Sequence, residues 1–478
     1  MATEAAPPLA PGSSAATVAY PRWVLLKHYG EEVDADSFPA VDAMTLAASR
    51  TSTGHHIGIS LCLAAPPALS SVRIHLPRGV EGATGSVFVL AAHGDSLLIR
   101  AACYIEEELH AGIPNYFVYD AGAASAEPRR PPRGGPPAWC CPDTRGTGLL
   151  RHGEDEFAVV ELKIVLVRPP SYDAPLAQKE PELMLLRRGR WSVERPAVVV
   201  HRDSPDAGGW DGYPLLSSWT THSVLPVGDA NLCWVDLRLG LLFCNVLDEC
   251  PAVLRHPEYG PGSSRNVCVS VTSSGCAAAM KFVGVFPRCC CGGTGSTHCE
   301  RSRHAYTDAM IDATELWALD YDEGIPRVPL SCPIVSMDDA DTICFLVCEW
   351  HHEGYYSDST GWLILVGTRG PALLSVSCIP SGRSLCGRGD VVPSRVSCYP
   401  DPSKPSSSAD SASSLREIPS PLSAISAALQ EIPSYGMDRD DMLKAYSILS
   451  RDNGRRLGSL LGIPRKDWLL MQIKADEA

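Results

Sequence analysis

Apolar and polar positions alternate most regularly between Asn231 and Glu249, where the chain reads NLCWVDLRLGLLFCNVLDE. Leu232, Trp234 and Asp236 fall on one face of an extended strand, and Cys233, Val235 and Leu237 on the other. Arg238-Leu239-Gly240 interrupts the run, after which Leu241, Phe243 and Asn245 alternate with Leu242, Cys244 and Val246. Two period-2 runs joined by a short glycine-containing break predict an antiparallel hairpin. The second run is apolar on both faces, which predicts burial between layers rather than a solvated side.

Runs of the same size recur along most of the chain. The first opens at Pro21 to Leu26, after an Ala/Pro/Ser-rich arm over residues 1–20. His56 to Leu63 and Ser71 to Leu76 follow, then Ser86 to Arg100, which turns back on itself at His93-Gly94-Asp95. Asn115 to Gly122, Leu149-Leu150 with Glu156 to Val167, and Glu182 to Leu186 with Trp191 to His201 come next. Thr220 to Asp229 feeds the hairpin at 231–249. Beyond it lie Val267 to Thr272, Met280 to Phe286, Glu315 to Leu319, Thr342 to Glu349, Trp362 to Val366 and Ala372 to Ile379. Turn residues separate these runs and no segment before residue 415 has a 3.6 period, so the expected class is mainly β. A sandwich finishes in fewer residues, whereas 21–400 suits a β-propeller-like domain of six to eight blades. A pair of distorted sandwiches is the alternative.

The pattern changes after residue 400. Residues 401–419 (DPSKPSSSADSASSLREIP) read as a flexible low-complexity linker. Ser420-Pro421 then offers a helix cap, with Leu422, Ile425, Leu429 and Ile432 at helical spacing. Met442, Ala445, Tyr446 and Leu449 form a second apolar face, and Trp468, Leu469 and Ile473 a third, giving a helical module over 420–474.

Composition narrows the class further. The 478 residues are 45% hydrophobic with a mean hydropathy of -0.02, ample for a core. A net charge of -14 argues against duplex binding, which depends on neutralising phosphates. From Ser420 to Ala478 the charges balance, with eight Lys/Arg and eight Asp/Glu, which favours docking to protein over nucleic acid. No run approaches the ~20 apolar residues of a membrane helix, and the first twenty residues have no basic, leucine-rich leader. Several of the 19 cysteines (Cys62, Cys233, Cys244 and Cys344) sit inside apolar runs as small hydrophobes. The expected location is cytoplasmic or nuclear, not secreted.

Candidate chemistry is sparse. Cys289, Cys291, Cys299 and His304 are the candidate thiolate and imidazole ligands for a structural zinc, against which the default reading is a glycine-rich loop between strands. Three adjacent cysteines at 289–291 cannot easily point at one ion, so no metal or other cofactor is expected. Asp236, Asp338 and Asp339 are the carboxylates that a glycan-active hydrolase would pair. Aspartate beside a strand is also ordinary turn chemistry. His351-His352-Glu353 and His55-His56 lack the spacing of a zinc protease helix, and no nucleophile elbow or phosphate loop occurs. Trp234 and Trp317 read as core aromatics.

Two segments carry a family resemblance: Trp234-Val235-Asp236 with Gly240 and the Leu-Leu-Phe-Cys-Asn run after it, and Val335-Ser336-Met337-Asp338. They resemble the grass-expanded plant family called domain of unknown function 1618, and the likeness extends from Trp23 to about Pro380. The strand–Gly-Asp–strand unit at 86–100 is similar to units in propeller domains attached to plant F-boxes, although no F-box-like helical segment precedes it. The tail resembles the helical C-terminal region of plant Myb/SANT-like transposase-derived proteins. The family pattern would place a further strand near Tyr306 to Met310, so the expectation is a blade that is incomplete or closed by other strands, or a degenerate gene copy. The resemblance implies a fold and no reaction. The expected role is a non-catalytic protein-interaction scaffold, its protein partner held in part by the helical tail. The glycan-active hydrolase is the alternative.

Overall fold

The structure is a computed structural model. It describes residues 20–33, 45–51, 54–76, 84–104, 114–121, 145–152, 156–167, 178–201, 216–247, 252–255, 265–271, 278–285, 311, 313–318, 325–328, 330–348, 361–379, 391–398 and 414–418. The chain is mainly β, with small sheets set in a propeller-like ring.

The first sheet collects β1 (Val24–Lys27), β2 (Glu31–Val33), β3 (Ala47–Arg50), β4 (His56–Cys62) and β5 (Leu69–His75). A second is the meander β6 (Thr84–His93), β7 (Ser96–Tyr104) and β8 (Asn115–Asp120). A third runs through β9 (Thr147–His152), β10 (Glu156–Val167), β11 (Gln178–Arg187) and β12 (Arg190–Glu194). The fourth holds β13 (Val198–His201), β14 (Ser223–Val227), β15 (Asn231–Asp236), β16 (Gly240–Asn245) and β17 (Ala252–Arg255). After the pair β18 (Arg265–Val271) and β19 (Ala278–Gly284) comes a short helix, α1 (Ala313–Ala318). The last meander is β20 (Ser331–Val335), β21 (Thr342–Cys348), β22 (Gly361–Gly367) and β23 (Ala372–Ile379). Finally β24 (Val391–Ser394) returns to pair with β1, and β25 (Ser414–Ile418) pairs with β8.

Successive sheets share apolar cores, which is why strands here are apolar on both faces. Val24, Ile59 and Val72 of the first sheet pack with Val89, Ile99 and Phe117 of the second. Leu98 and Val118 meet Leu149 and Val159, and Leu150 and Val160 meet Trp234 and Leu242. Cys233 and Leu241 face Val267. Trp23 and Leu25 pack against Ile334, Leu346 and Leu363, so the last sheet meets the first. The leading strands also touch in order: β24 on β6, β6 on β9, β9 on β14, β14 on β18, and β18 on β20. Gly148 sits in that inner layer, where a Cβ would lie 2.6 Å from Val224 Cγ1.

Two of these inner strands, β24 and β6, share a direction. Tyr29 bridges Phe88 antiparallel, and β24 runs antiparallel to β1, so β24 and β6 point the same way. Their ends, and the turns that follow, gather on one face of the ring.

The hairpin predicted at 231–249 is β15–β16, in register from Asn231 opposite Asn245 to Asp236 opposite Gly240. Its second strand is buried between two cores as its pattern predicts, with Leu242 and Cys244 on one side and Leu241 on the other. Three expectations need correction. Glu315 to Leu319 is not a strand: Ala313–Ala318 is helical, in line with its Ala, Glu and Leu content. The run Trp191 to His201 is split, because Pro196 cannot donate to a ladder and β13 joins the next sheet. Ser414–Ile418, inside the stretch read as linker, forms a strand anchored by buried Leu415. The arm 1–19, the region 304–310 and the helical module 420–474 lie outside the described residues.

Candidate functional site

The carboxylates singled out in the sequence serve turns. Asp236, 2% exposed, accepts hydrogen bonds at Oδ2 from the Thr220 N–H (2.7 Å) and at Oδ1 from the Arg238 and Leu239 N–H groups (2.8 and 3.1 Å). It therefore closes the β15–β16 turn and ties down the segment entering β14. His222 stands 3.9 Å from Oδ1 through its Nδ1, which also accepts the Leu237 N–H. Trp234 is wholly buried and donates its indole N–H to the Gly146 carbonyl (2.9 Å), so it is a core aromatic. Val235 lines the neighbouring core.

The second motif builds the β20–β21 turn. Val335 and Ser336 are buried, and Ser336 Oγ accepts the N–H groups of Asp338 and Asp339 (both 3.2 Å). Asp339 accepts the Asp341 N–H and the Thr342 hydroxyl. Those two bonds, in that order, hold its carboxyl below the usual carboxylate range. Arg395, just past β24, donates to the Met337 carbonyl and pairs with Asp338 at 3.7 Å, so this turn pins the end of the chain's last ring strand. Arg369 and Lys281 flank Asp341 at 2.6 and 3.8 Å.

Asp236 and Asp338 do not meet. β15 runs antiparallel to β14, so Asp236 lies at the far end of β15 from the turn at Gly228-Asp229. Asp338 lies with Arg395, on the face that also carries His93. The length of a strand separates them, roughly 20 Å for six residues.

That face carries a cluster that no single motif announced. β6 and β7 join through Gly94-Asp95, with Gly94 at φ +59°, a left-handed conformation that suits glycine in a two-residue hairpin. Ser96, opposite Asp120 in the ladder, places its Oγ 2.9 Å from Asp95 Oδ1 and 2.6 Å from Asp120 Oδ1. Arg151, at the end of β9, reaches both carboxylates: Nε is 3.5 Å from Asp95 and Nη1 3.3 Å from Asp120. Its backbone N–H donates to His93 Nδ1 (2.8 Å), so the neutral ring carries its proton on Nε2. Burial lowers the His93 pKa, an effect opposed by Asp229 and Asp95 and reinforced by Arg151. Asp229 comes from the β14–β15 turn, so three successive sheets contribute to one electrostatic site.

The only sequence signal for this site was the Gly-Asp turn at His93-Gly94-Asp95. Arg151 and Asp120 were invisible because their role depends on which strand ends the ring brings together. Cys289, Cys291, Cys299 and His304 lie outside the described residues, as do His351, His352 and Glu353. Among the described residues no group of three or more His, Cys, Asp or Glu is placed to hold a metal ion. No described helix is long and apolar enough to cross a membrane.

The model of a family described as protein of unknown function (DUF1618) matches residues 234–344. The span opens at Trp234, runs through the β15–β16 and β20–β21 turns, and ends within β21. It supports the resemblance carried by Trp234-Val235-Asp236 and Val335-Ser336-Met337-Asp338 over that stretch. Neither a curated protein nor a solved structure matches the chain.

Proposed function

We propose that the chain is a non-catalytic protein-recognition scaffold, a ring of six blades that docks its partner on the face bearing His93, Asp95, Arg151 and Asp229. The observation that carries this reading is the occupation of the carboxylates. Asp236 is saturated by backbone N–H groups, Asp339 is tied within its own turn, and Asp236 and Asp338 stand at opposite ends of the strands. A paired acid and base needs about 5–10 Å between carboxyl groups. Turns held on a rigid β frame suit recognition instead.

Three carboxylates against one guanidinium make this cluster acidic, so the matching partner presents basic side chains to it. Asp229 is exposed, which makes it the residue to reverse. Affinity isolation with the full chain should recover a partner that Asp229→Lys loses. Arg238→Glu, at the opposite face, should retain it. Loss in both variants, or in neither, rejects this face as the docking surface.

One observation favours a glycan-active hydrolase as the second reading. Asp95 and Asp120 share one hydroxyl, and carboxylates that close resemble a retaining pair, spaced about 5–5.5 Å. Release of a chromogenic aglycone by the native chain, abolished in Asp95→Asn, would establish that reading. The helical module at 420–474 is proposed as a second docking element. A chain ending at Ile418 should keep the ring and lose only the partners that the tail holds.

A further inference from the structure

The outer edge of β8 is covered by a strand from the far end of the sequence. β24 already returns to β1, yet beyond residues 399–413 β25 pairs antiparallel with β8, from Ser414 opposite Asp120 to Ile418 opposite Tyr116. β8 is weakly guarded as an edge. With β25 in place all six of its residues are buried, its ladder with β7 has no bulge, it contains neither proline nor lysine, and its one charge, Asp120, is held by Ser96 and Arg151. Bulges, proline and free charges are the devices that ordinarily block strand addition, and without them a bare β8 is a template for an extended segment. Leu415 enters the same core as Phe117 and Tyr119, giving the incoming strand one apolar anchor.

We propose that the β8 edge is an exchangeable strand-binding site, and that a second copy of this chain fills it with its own Ser414–Ile418 to give a strand-exchanged dimer. The exchanged form repeats every β8–β25 bond of the closed form in the same register. The choice between them therefore rests on the tether and not on new contacts. Residues 399–413 span up to ~50 Å when extended, enough to reach a neighbour. Within one chain the same tether gives β25 an effective concentration of order mM, so closure within the chain prevails at micromolar protein. Exchange takes over when copies are crowded to that level, or when the tether is too short to close. Because Ser414 lies opposite Asp120, the exchanged strand would set the second ring beside the candidate site. The inference does not depend on what that site binds.

The test shortens the tether in the full chain. β25 lies three strand spacings from β6, on which β24 packs, or roughly 14 Å. Deleting residues 396–413 leaves Arg395 alone between Ser394 and Ser414, with a reach of about 7 Å. Sedimentation at micromolar concentration should find the intact chain monomeric and the deletion variant dimeric. Adding Leu415→Asp to the deletion should return it to monomer. A monomeric deletion variant, or a dimer that survives Leu415→Asp, overturns the proposal. A measurement on the intact chain guards against a deletion that fails to fold. The β8 amides bonded to β25 should exchange with solvent at least tenfold faster than those bonded to β7, because β25 leaves without unfolding the ring. Equal protection at both sides of β8 would make β25 a permanent part of the sheet and also overturn it.

Discussion

Asp229 and Asp236 lie at the two ends of β15, and their surroundings differ in kind. Asp236 is buried and spends both carboxylate oxygens on backbone N–H groups of its own turn and of the segment entering β14. Asp229 is exposed in the turn before β15 and acts across sheets, on the imidazole of His93. A carboxylate bonded to backbone holds a shape and has little freedom to do anything else. One that faces side chains from neighbouring blades shapes a surface. The same residue type thus serves the backbone at one end of β15 and side chains of neighbouring sheets at the other.

The largest effect expected is at the Asp236 end of β15. Trp234→Ala removes a wholly buried ring and its bond to Gly146, and should cost about 3–5 kcal/mol in denaturant unfolding. Asp236→Ala leaves buried N–H groups without their acceptor and should cost about 3 kcal/mol. Asp229→Ala should stay within ~0.5 kcal/mol of the native chain. Equal losses for Asp229→Ala and Asp236→Ala would break the contrast.

A pH titration sharpens it. The folded-state pKa of His93 lies below its ordinary value, mainly through burial, so the unfolded chain binds more protons as pH falls. Stability should therefore be greatest above about pH 6.5 and decline below it. His93→Gln should reduce that decline without abolishing it, because burial, helped by Arg73, lowers His75 as well. Asp339 works in the opposite range. Its lowered pKa gives stability that is present above its unfolded value near 3.9 and lost as pH falls through the folded one. Asp339→Asn should flatten the acid limb of the melting profile. A native-like acid limb in that variant would assign the loss to other carboxylates.

The smallest effect concerns thiols. Burial pushes Cys268 up to about 11 and Cys344 up to about 12, whereas Cys378 is exposed. Alkylation in mildly alkaline buffer should label Cys378 before Cys268 and Cys344, and reach those two only on unfolding. Labelling at equal rates would show that the sheets holding Cys268 and Cys344 open readily.

Local pattern made the hairpins legible. The period-2 alternation of Leu232 to Val246 gave β15–β16 and its burial on both faces, and Gly94-Asp95 gave the turn between β6 and β7. Interruptions were harder. Pro196 ends one strand and sends the chain to another sheet, a consequence that appears only when sheet membership is known. The stretch Ala313–Ala318 was apolar enough to read as a strand, while its helix-forming residues decided otherwise. Long-range pairing was not legible at all. Nothing in Ser414–Ile418 specifies β8 as its neighbour, and nothing in Arg151 announces that it will bridge Asp95 and Asp120. Both depend on how the ring brings distant strand ends together.

The most direct test of the account is amide hydrogen exchange on the full chain, with and without a partner recovered by affinity isolation. The account predicts new protection at 93–96, 151–152 and 228–230, with Leu237 to Leu239 unchanged. Protection confined to Leu237 to Leu239, with the His93 face unaltered, would contradict it.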